Sequence, residues 1–289
     1  MNSQVRVRVF FPGYPNTFKA ICDTWKLKKY QYKHIKFVND ESYTHAIIIN
    51  FYSDKVKLKI KENIPKQNIL GLAWEPPRFL KKDKCIRHFI ERRVGNYLIG
   101  ARIKGFPKEY VPHYGFITHI PVQNKPEKTN FMSIILSNKK ITDGHKYRHE
   151  LVESILKTDL NIHIYGRGAD HYKDDRVKGE FNSEEPYKSY TFTIAIENII
   201  HNHYISEKYT SSIALNCIPI YLGCRNISKY FGNDSYVKLT GKVDEDITLL
   251  QDIFTNKEKY LKNLDTARNH ILNGNASLPV FLSKYWKKK

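Results

Sequence analysis

Long apolar runs are missing from this chain: none approaches the ~18 residues that a membrane-spanning helix needs. A charged-then-apolar leader is missing too. Met1 runs within a few positions into Val5-Arg-Val-Arg-Val-Phe-Phe11, which alternates like a first strand. These absences set the expectation of a cytoplasmic protein, of bacterial or viral type, with no membrane span. Cysteine is scarce. The four present, Cys22, Cys85, Cys217 and Cys224, have no metal-type spacing, and nothing requires a disulfide, which fits a reducing compartment. Internal repeats and low-complexity tracts are absent. The full G-x-G-x-x-G dinucleotide fingerprint is absent as well, Gly166-Arg167-Gly168 being only a glycine turn. Acidic residues are outnumbered, 29 Asp and Glu against 48 Lys and Arg, for a formal net charge of +19. That excess favours anionic partners such as phosphorylated donors, nucleic acid or an acidic membrane surface. Compositional drift is an equal explanation, because Lys, Asn and Ile are abundant together. The cations are scattered along the chain and not interleaved with aromatics on one platform, which speaks against nucleic-acid binding.

What is present describes a folded chain: 289 residues, 41% apolar and 27% charged, enough for two domains. Strand and helix patterns alternate. Val5–Phe11, His45–Phe51, Ile69–Ala73 and Tyr97–Gly100 read as strands, Thr17–Leu27 and Lys81–Val94 as helices. Lys55–Lys61 reads as an edge strand with a basic face. A Pro-rich polar stretch from Thr118 to Lys128 reads as a linker. The pattern then restarts with strand Phe131–Leu136, a helix from His145 to Lys157 and strand Asn161–Tyr165. The segment from Asp244 to about Trp286 is mostly helical. The expectation is an α/β protein with two Rossmann-like domains, residues 1–128 and 129–289.

The second domain turns on Tyr190 to Gly223. Phe192–Ile196 is short and apolar enough for a strand buried on both faces. Glu197-Asn198 ends it, a polar loop follows, and Ser206 is a good N-cap for a helix whose first turn holds Glu207 and Lys208. Ile205, Tyr209 and Ile213 share one stripe, and Cys217–Tyr221 is the next buried strand. The unit is a parallel βαβ crossover, whose helix N-terminus favours phosphate. Glu207 and Lys208 lie off the buried stripe. They are either a solvated first turn or ligand-binding groups.

Glu197-Asn198, Tyr204, Ser206-Glu207-Lys208 and Ile218-Pro-Ile-Tyr-x-Gly223 together resemble, in residue type and spacing, the donor-site signature of family 10 glycosyltransferases, the α-1,3/4-fucosyltransferases. The resemblance implies a GT-B fold, with two Rossmann-like domains facing across a cleft and the C-terminal helical segment packing back on the first domain. It implies an inverting transfer of L-fucose from GDP-fucose to a hydroxyl of a glycan acceptor. The second domain would bind the donor and the first the acceptor. A different nucleotide sugar is the alternative donor. Membrane-anchored relatives carry an N-terminal span and stem that have no counterpart in this sequence.

The resemblance also distributes roles. Arg148, Tyr204 and Lys208 would meet the donor diphosphate, Asn198 would orient that network, and Glu207 would hold fucose hydroxyls. It implies an acceptor-side carboxylate as general base. Glu75, in Ala-Trp-Glu-Pro-Pro at a strand end, is assigned, although its flanking residues depart from the family's; Glu91 and Glu109 are the alternatives. Asp244-Glu-Asp246 has the D-x-D form of metal-dependent transferases but stands where a helix start wants acids, so capping is the expected role. His201 and His203 lack an acidic or Cys partner. No obligatory metal or other cofactor is expected, and the expected partners are GDP-fucose and an oligosaccharide or glycoconjugate, not nucleic acid.

Overall fold

The computed structural model describes residues 4–11, 14, 16–50, 60–76, 84–100, 111–112 and 125–287. The chain divides into two compact units. The first comprises Met1–Pro121, Asn202–Tyr204 and Ile271–Lys289; the second comprises Val122–His201 and Ile205–His270. The sequence boundary at 128/129 thus differs from the structural one at 121/122, and the first unit is not contiguous in sequence.

The first unit holds a seven-stranded sheet. Its strands are β1 Val5–Phe10, β2 Gln31–Tyr32, β3 Ile35–Phe37, β4 His45–Ile49, β5 Ile69–Leu72, β6 Asn96–Ile99 and β7 Val111–Pro112. They lie in the order β2-β3-β1-β4-β5-β6-β7. All neighbours are parallel except the antiparallel edge pair β2–β3. Ile47, Ile48, Ile49, Ile69 and Leu70 are fully buried, as continuous apolar runs in a sheet covered on both faces should be. Helices α1 (Thr17–Thr24) and α2 (Lys84–Arg93) supply crossovers. The edge strand expected at Lys55–Lys61 falls largely outside the described residues, as does much of the expected linker. Where that linker is described it is anchored, not loose: the half-buried Lys128 donates to the carbonyls of Tyr187, Lys188 and Leu215.

The second unit is wholly parallel. Its strands are β8 Asn130–Ile135, β9 Ile162–Tyr165, β10 Val177–Gly179, β11 Tyr190–Ile196, β12 Ile218–Leu222 and β13 Val237–Lys238. They are ordered β10-β9-β8-β11-β12-β13, which counted within the unit is 3-2-1-4-5-6, the Rossmann order. Helix α3 (Asp143–Leu156) links β8 to β9, and Arg176 closes its far end by donating to the carbonyls of Ile155, Leu156, Thr158 and Leu160. Gly166 ends β9 at φ 97°, a left-handed conformation that side chains rarely adopt. The glycine turn therefore serves chain reversal. Helices α4 (Glu185–Lys188), α5 (Glu207–Ala214), α6 (Ser228–Phe231), α7 (Val243–Thr255), α8 (Lys257–Tyr260) and α9 (Asp265–Asn273) follow.

Helix α10 (Leu278–Tyr285) belongs to the first unit and packs beside β2 and β3. Trp286, just beyond it, fixes that edge. Its indole donates to the Gln67 carbonyl at 3.4 Å, its carbonyl lies 2.6 Å from His34 Nε2, and its ring centroid is 4.7 Å from that of His45.

Candidate active site

In the second unit the strand order reverses between β8 and β11, the place where open parallel sheets bind ligands beyond their carboxyl ends. The chain leaving β8 turns into α3 at Thr142. The Thr142 hydroxyl accepts from His145 N at 3.3 Å, and the His145 ring accepts from Thr142 N, forming a capping box. Gly144 N donates to the Asn198 carbonyl at 3.2 Å, which fastens the first turn of α3 to the end of β11. A Cβ on Gly144 would stand 2.0 Å from the Glu197 carbonyl oxygen. Replacing an interior helical Gly by Ala gains about 1 kcal/mol of helix propensity. Overpacking against backbone costs typically ~1–3 kcal/mol, so the clash decides the sign. Gly144→Ala should therefore lower the urea midpoint of the protein; an unchanged or raised midpoint would mean that the β11 end yields freely.

One turn further along α3 stands Arg148, 3% exposed and so not a surface residue. Its guanidinium donates to the Ile196 carbonyl at 2.6 Å and to Asn198 Oδ1 at 3.2 Å. A planar fork suits this, holding the carbonyl end of β11 while carrying charge into the switch point. Asn198 in turn touches both the first turn of α3 and Arg148.

Glu197 is fully buried at the end of an apolar strand. Its Oε1 accepts from Ser206 N at 2.7 Å and from the Tyr221 hydroxyl at 3.3 Å, while Oε2 has no hydrogen-bond partner among the described residues. Burial pushes this carboxyl above its usual range, with Lys208 opposing the rise. Glu197 thus ties β11, the start of α5 and β12 together. Sequence reading found the motif but gave Glu197 no role. The signal was there, because an acid ending a buried apolar run is expensive unless it is bonded.

Ser206 is the N-cap of α5, its hydroxyl accepting from Lys208 N at 3.3 Å. Ile205, Tyr209 and Ile213 are fully buried, as their spacing requires. Glu207 and Lys208 are not two independently solvated groups: Lys208 Nζ lies 2.8 Å from Glu207 Oε1. The carboxylate is thereby matched by a cation in its own helical turn.

Cations converge here. The His145 imidazole is pushed down from 6.5 to about 4, by burial first and then by Arg148, Lys208, Lys139 and His149. Lys139, in the turn after β8, is a candidate that sequence reading passed over as part of a polar turn. The first amides of α3 are already bonded, Gly144 N to the Asn198 carbonyl and His145 N to the Thr142 hydroxyl, so the positive charge of this corner comes from the side chains of Arg148, Lys208 and Lys139. The His145 shift also fixes a pH dependence. An imidazole that resists protonation when folded accepts a proton readily when unfolded, so its contribution to stability is complete above about 6.5 and is lost as pH falls toward about 4. His45, half-buried in the first unit and likewise pushed down to about 4, acts in the same direction. Urea midpoints should fall between about pH 7 and pH 4.5, and His145→Gln should flatten part of that slope.

Of the remaining candidates, Tyr204 is buried in the Asn202–Tyr204 stretch of the first unit, whereas Arg148, Asn198, Glu207 and Lys208 all belong to the second. Asp246 is fully buried and both its oxygens are engaged. Oδ1 accepts from Thr240 N and Oγ1, and Oδ2 accepts from Gly241 N and from the Tyr147 hydroxyl. It lies in the first turn of α7, but the N-cap Lys242 makes no side-chain cap bond, and Asp246 holds the amides of the loop before the helix in place of the expected cap. Among the described residues no group of three or more His, Cys, Asp or Glu is placed to hold a metal ion. Glu75 sits half-buried in the bend after β5, its amide bonded to Asn50 Oδ1 at 3.1 Å. Glu91 lies on α2, and Glu109 is outside the described residues. No helix among the described residues is long and apolar enough to cross a membrane.

A parallel sheet in Rossmann order, with cations gathered at its switch point, defines an α/β protein of the open, doubly wound class. The model for glycosyltransferase family 10 (fucosyltransferase), C-terminal part, matches residues 125–272, more than half of the chain. The chain belongs to that family. It is 27% identical over 256 residues to the mouse 4-galactosyl-N-acetylglucosaminide 3-alpha-L-fucosyltransferase 9, covering 84% of this chain and 64% of the mouse protein. It is 28% identical over 153 residues to a fucosyltransferase-like protein of Arabidopsis thaliana, covering 53% of this chain and 27% of that one. The chain therefore spans less than two thirds of either relative. The crystal structure of an alpha1,3-fucosyltransferase superposes with a TM-score of 0.54 at 13% identity, covering 99% of this chain and 91% of the other. A crystal structure of alpha1,3-fucosyltransferase with GDP gives 0.53 at 15% identity, again covering 99% of this chain and 91% of the other. The fold is thus α/β of the GT-B type.

Proposed function

We propose that the chain is an inverting fucosyltransferase that moves L-fucose from GDP-fucose to a hydroxyl of a glycan acceptor. The observation that carries the reading is the convergence of Arg148, Asn198 and Lys208 on the switch point of the family-matched unit. In this reading Arg148, Lys208 and Tyr204, with Lys139 added, face the diphosphate of the donor. Asn198 orients Arg148, and Glu207 accepts hydrogen bonds from fucose hydroxyls. Glu75 takes the proton from the acceptor hydroxyl as its oxygen forms a bond to the anomeric carbon of fucose. The bond from that carbon to the diphosphate oxygen breaks on the opposite face, and GDP departs with the electron pair. Positive charge grows on the sugar ring and negative charge on the diphosphate. Pre-placed cations and amides stabilise the latter without reorganising.

Thermal shift against GDP-fucose, GDP-mannose, GDP and UDP-sugars tests the donor. A ligand at ~100 times its dissociation constant should stabilise by about 2.7 kcal/mol. Stabilisation by UDP-sugars and not by GDP would reject the fucose reading. Transfer should also survive EDTA, because protein cations and a helix N-terminus neutralise the leaving diphosphate in this scheme. A complete loss restored by added divalent metal would return attention to Asp244 and Asp246.

A further inference from the structure

Asn50 follows β4 directly and is 2% exposed. Its φ of 48° puts it in the left-handed region, where Asn, Asp and Gly are the tolerated residues. Its amide donates to the Leu72 carbonyl at 2.9 Å, which ties it to the end of the neighbouring strand β5. Its side-chain oxygen then accepts from two consecutive amides beyond that strand, Trp74 N at 2.7 Å and Glu75 N at 3.1 Å. One buried acceptor therefore sets the direction in which the chain bends at Glu75. The same bend is braced from the side, where the Trp74 ring meets Phe11 edge-on at 5.4 Å, and Pro76 is buried just beyond.

We infer that Asn50 is a positioning residue for the Glu75 carboxylate, the left-handed backbone at the end of β4 aiming one amide oxygen at both amides of the Trp74–Glu75 bend. The inference rests on the reading of Glu75 as general base. A strand end carries the bend to the right place, but β5 itself stops at Leu72, and the bend beyond it is met by the Asn50 oxygen. Without the Asn50 oxygen both amides would need other partners, and the carboxylate would swing with them. Misplacing a reacting group by about 1 Å can cost on the order of 100-fold in rate.

Asn50→Gly is the informative substitution, because Gly keeps the left-handed backbone and removes the side-chain amide with its acceptor oxygen. It should lower kcat on the order of 10- to 100-fold while GDP affinity and KM for GDP-fucose stay within a few-fold. Asn50→Asp retains the acceptor oxygen and the backbone preference and should recover most of the rate. Groups that act as a unit are not additive, so Asn50→Gly added to Glu75→Gln should cost nothing beyond Glu75→Gln alone. Multiplied losses in the double variant, full activity of Asn50→Gly beside a crippled Glu75→Gln, or a glycine variant that no longer folds would each overturn the inference. A Glu75→Gln variant near wild type would instead remove the base assignment itself, and this inference with it.

Discussion

Replacing Glu75 by Gln is expected to cut the rate of fucose transfer at least ~100-fold while leaving GDP-fucose binding intact. A glycan hydroxyl is a poor nucleophile at neutral pH, and removing its proton during attack typically contributes ~10²–10⁴-fold. Gln has nearly the same shape and can still accept a hydrogen bond, but it cannot take the proton. The bend that carries position 75 is held through the backbone, by Asn50 and by the buried Pro76, so the substitution should not disturb it. Donor affinity is the control, since the groups assigned to the diphosphate are on other elements. A Gln variant within a few-fold of wild type would end the candidacy of Glu75 and move the search to Glu91 and Glu109.

Arg148→Ala and Lys208→Ala should each weaken GDP binding by roughly 10- to 100-fold, the equivalent of about 1.5–3 kcal/mol for a charge-assisted hydrogen bond. The two should differ in stability. Lys208 is paired with Glu207 on one helical turn, and its loss removes a cation near buried Glu197 but no hydrogen bond to a strand end. Arg148 is buried and bonded to the Ile196 carbonyl and Asn198, so its loss also leaves those acceptors without a donor they now have. Melting should therefore suffer more in Arg148→Ala. Glu207→Ala should spare GDP affinity and damage turnover, because the proposed partner of Glu207 is the sugar. Loss of GDP binding with normal transfer per bound donor would assign Glu207 to the nucleotide instead.

Much of this site was legible because its residues do local work that leaves a local signature. Ser206 caps a helix, Ile205, Tyr209 and Ile213 mark its buried stripe, and β11 and β12 are apolar runs of the right length. Long-range partners were not legible. That Asp246 would meet Tyr147, or that Arg148 would meet the end of β11, depends on which strands become neighbours. Short elements also escaped. The pairs β2–β3 and β12–β13 form over two or three residues and are fixed by pairing, not by any pattern of their own. Lys139 looked like one more cation in a basic chain until His145 reported its field.

The return of residues 271–289 to the first unit has a consequence for how the protein is made. A ribosome delivers nearly the whole second unit, Val122–His201 and Ile205–His270, before Trp286 emerges. Until then the edge formed by His34, His45 and Gln67 lacks the indole that closes it. Domains usually mature in the order in which they are synthesised. Here the earlier-made unit can complete its Trp286 contacts only after the later-made one has been synthesised. Dissection meets the same constraint. A fragment ending at Pro121 would expose the Trp286 contact surface, and a recombinant first unit calls for residues 271–289 to be spliced onto it.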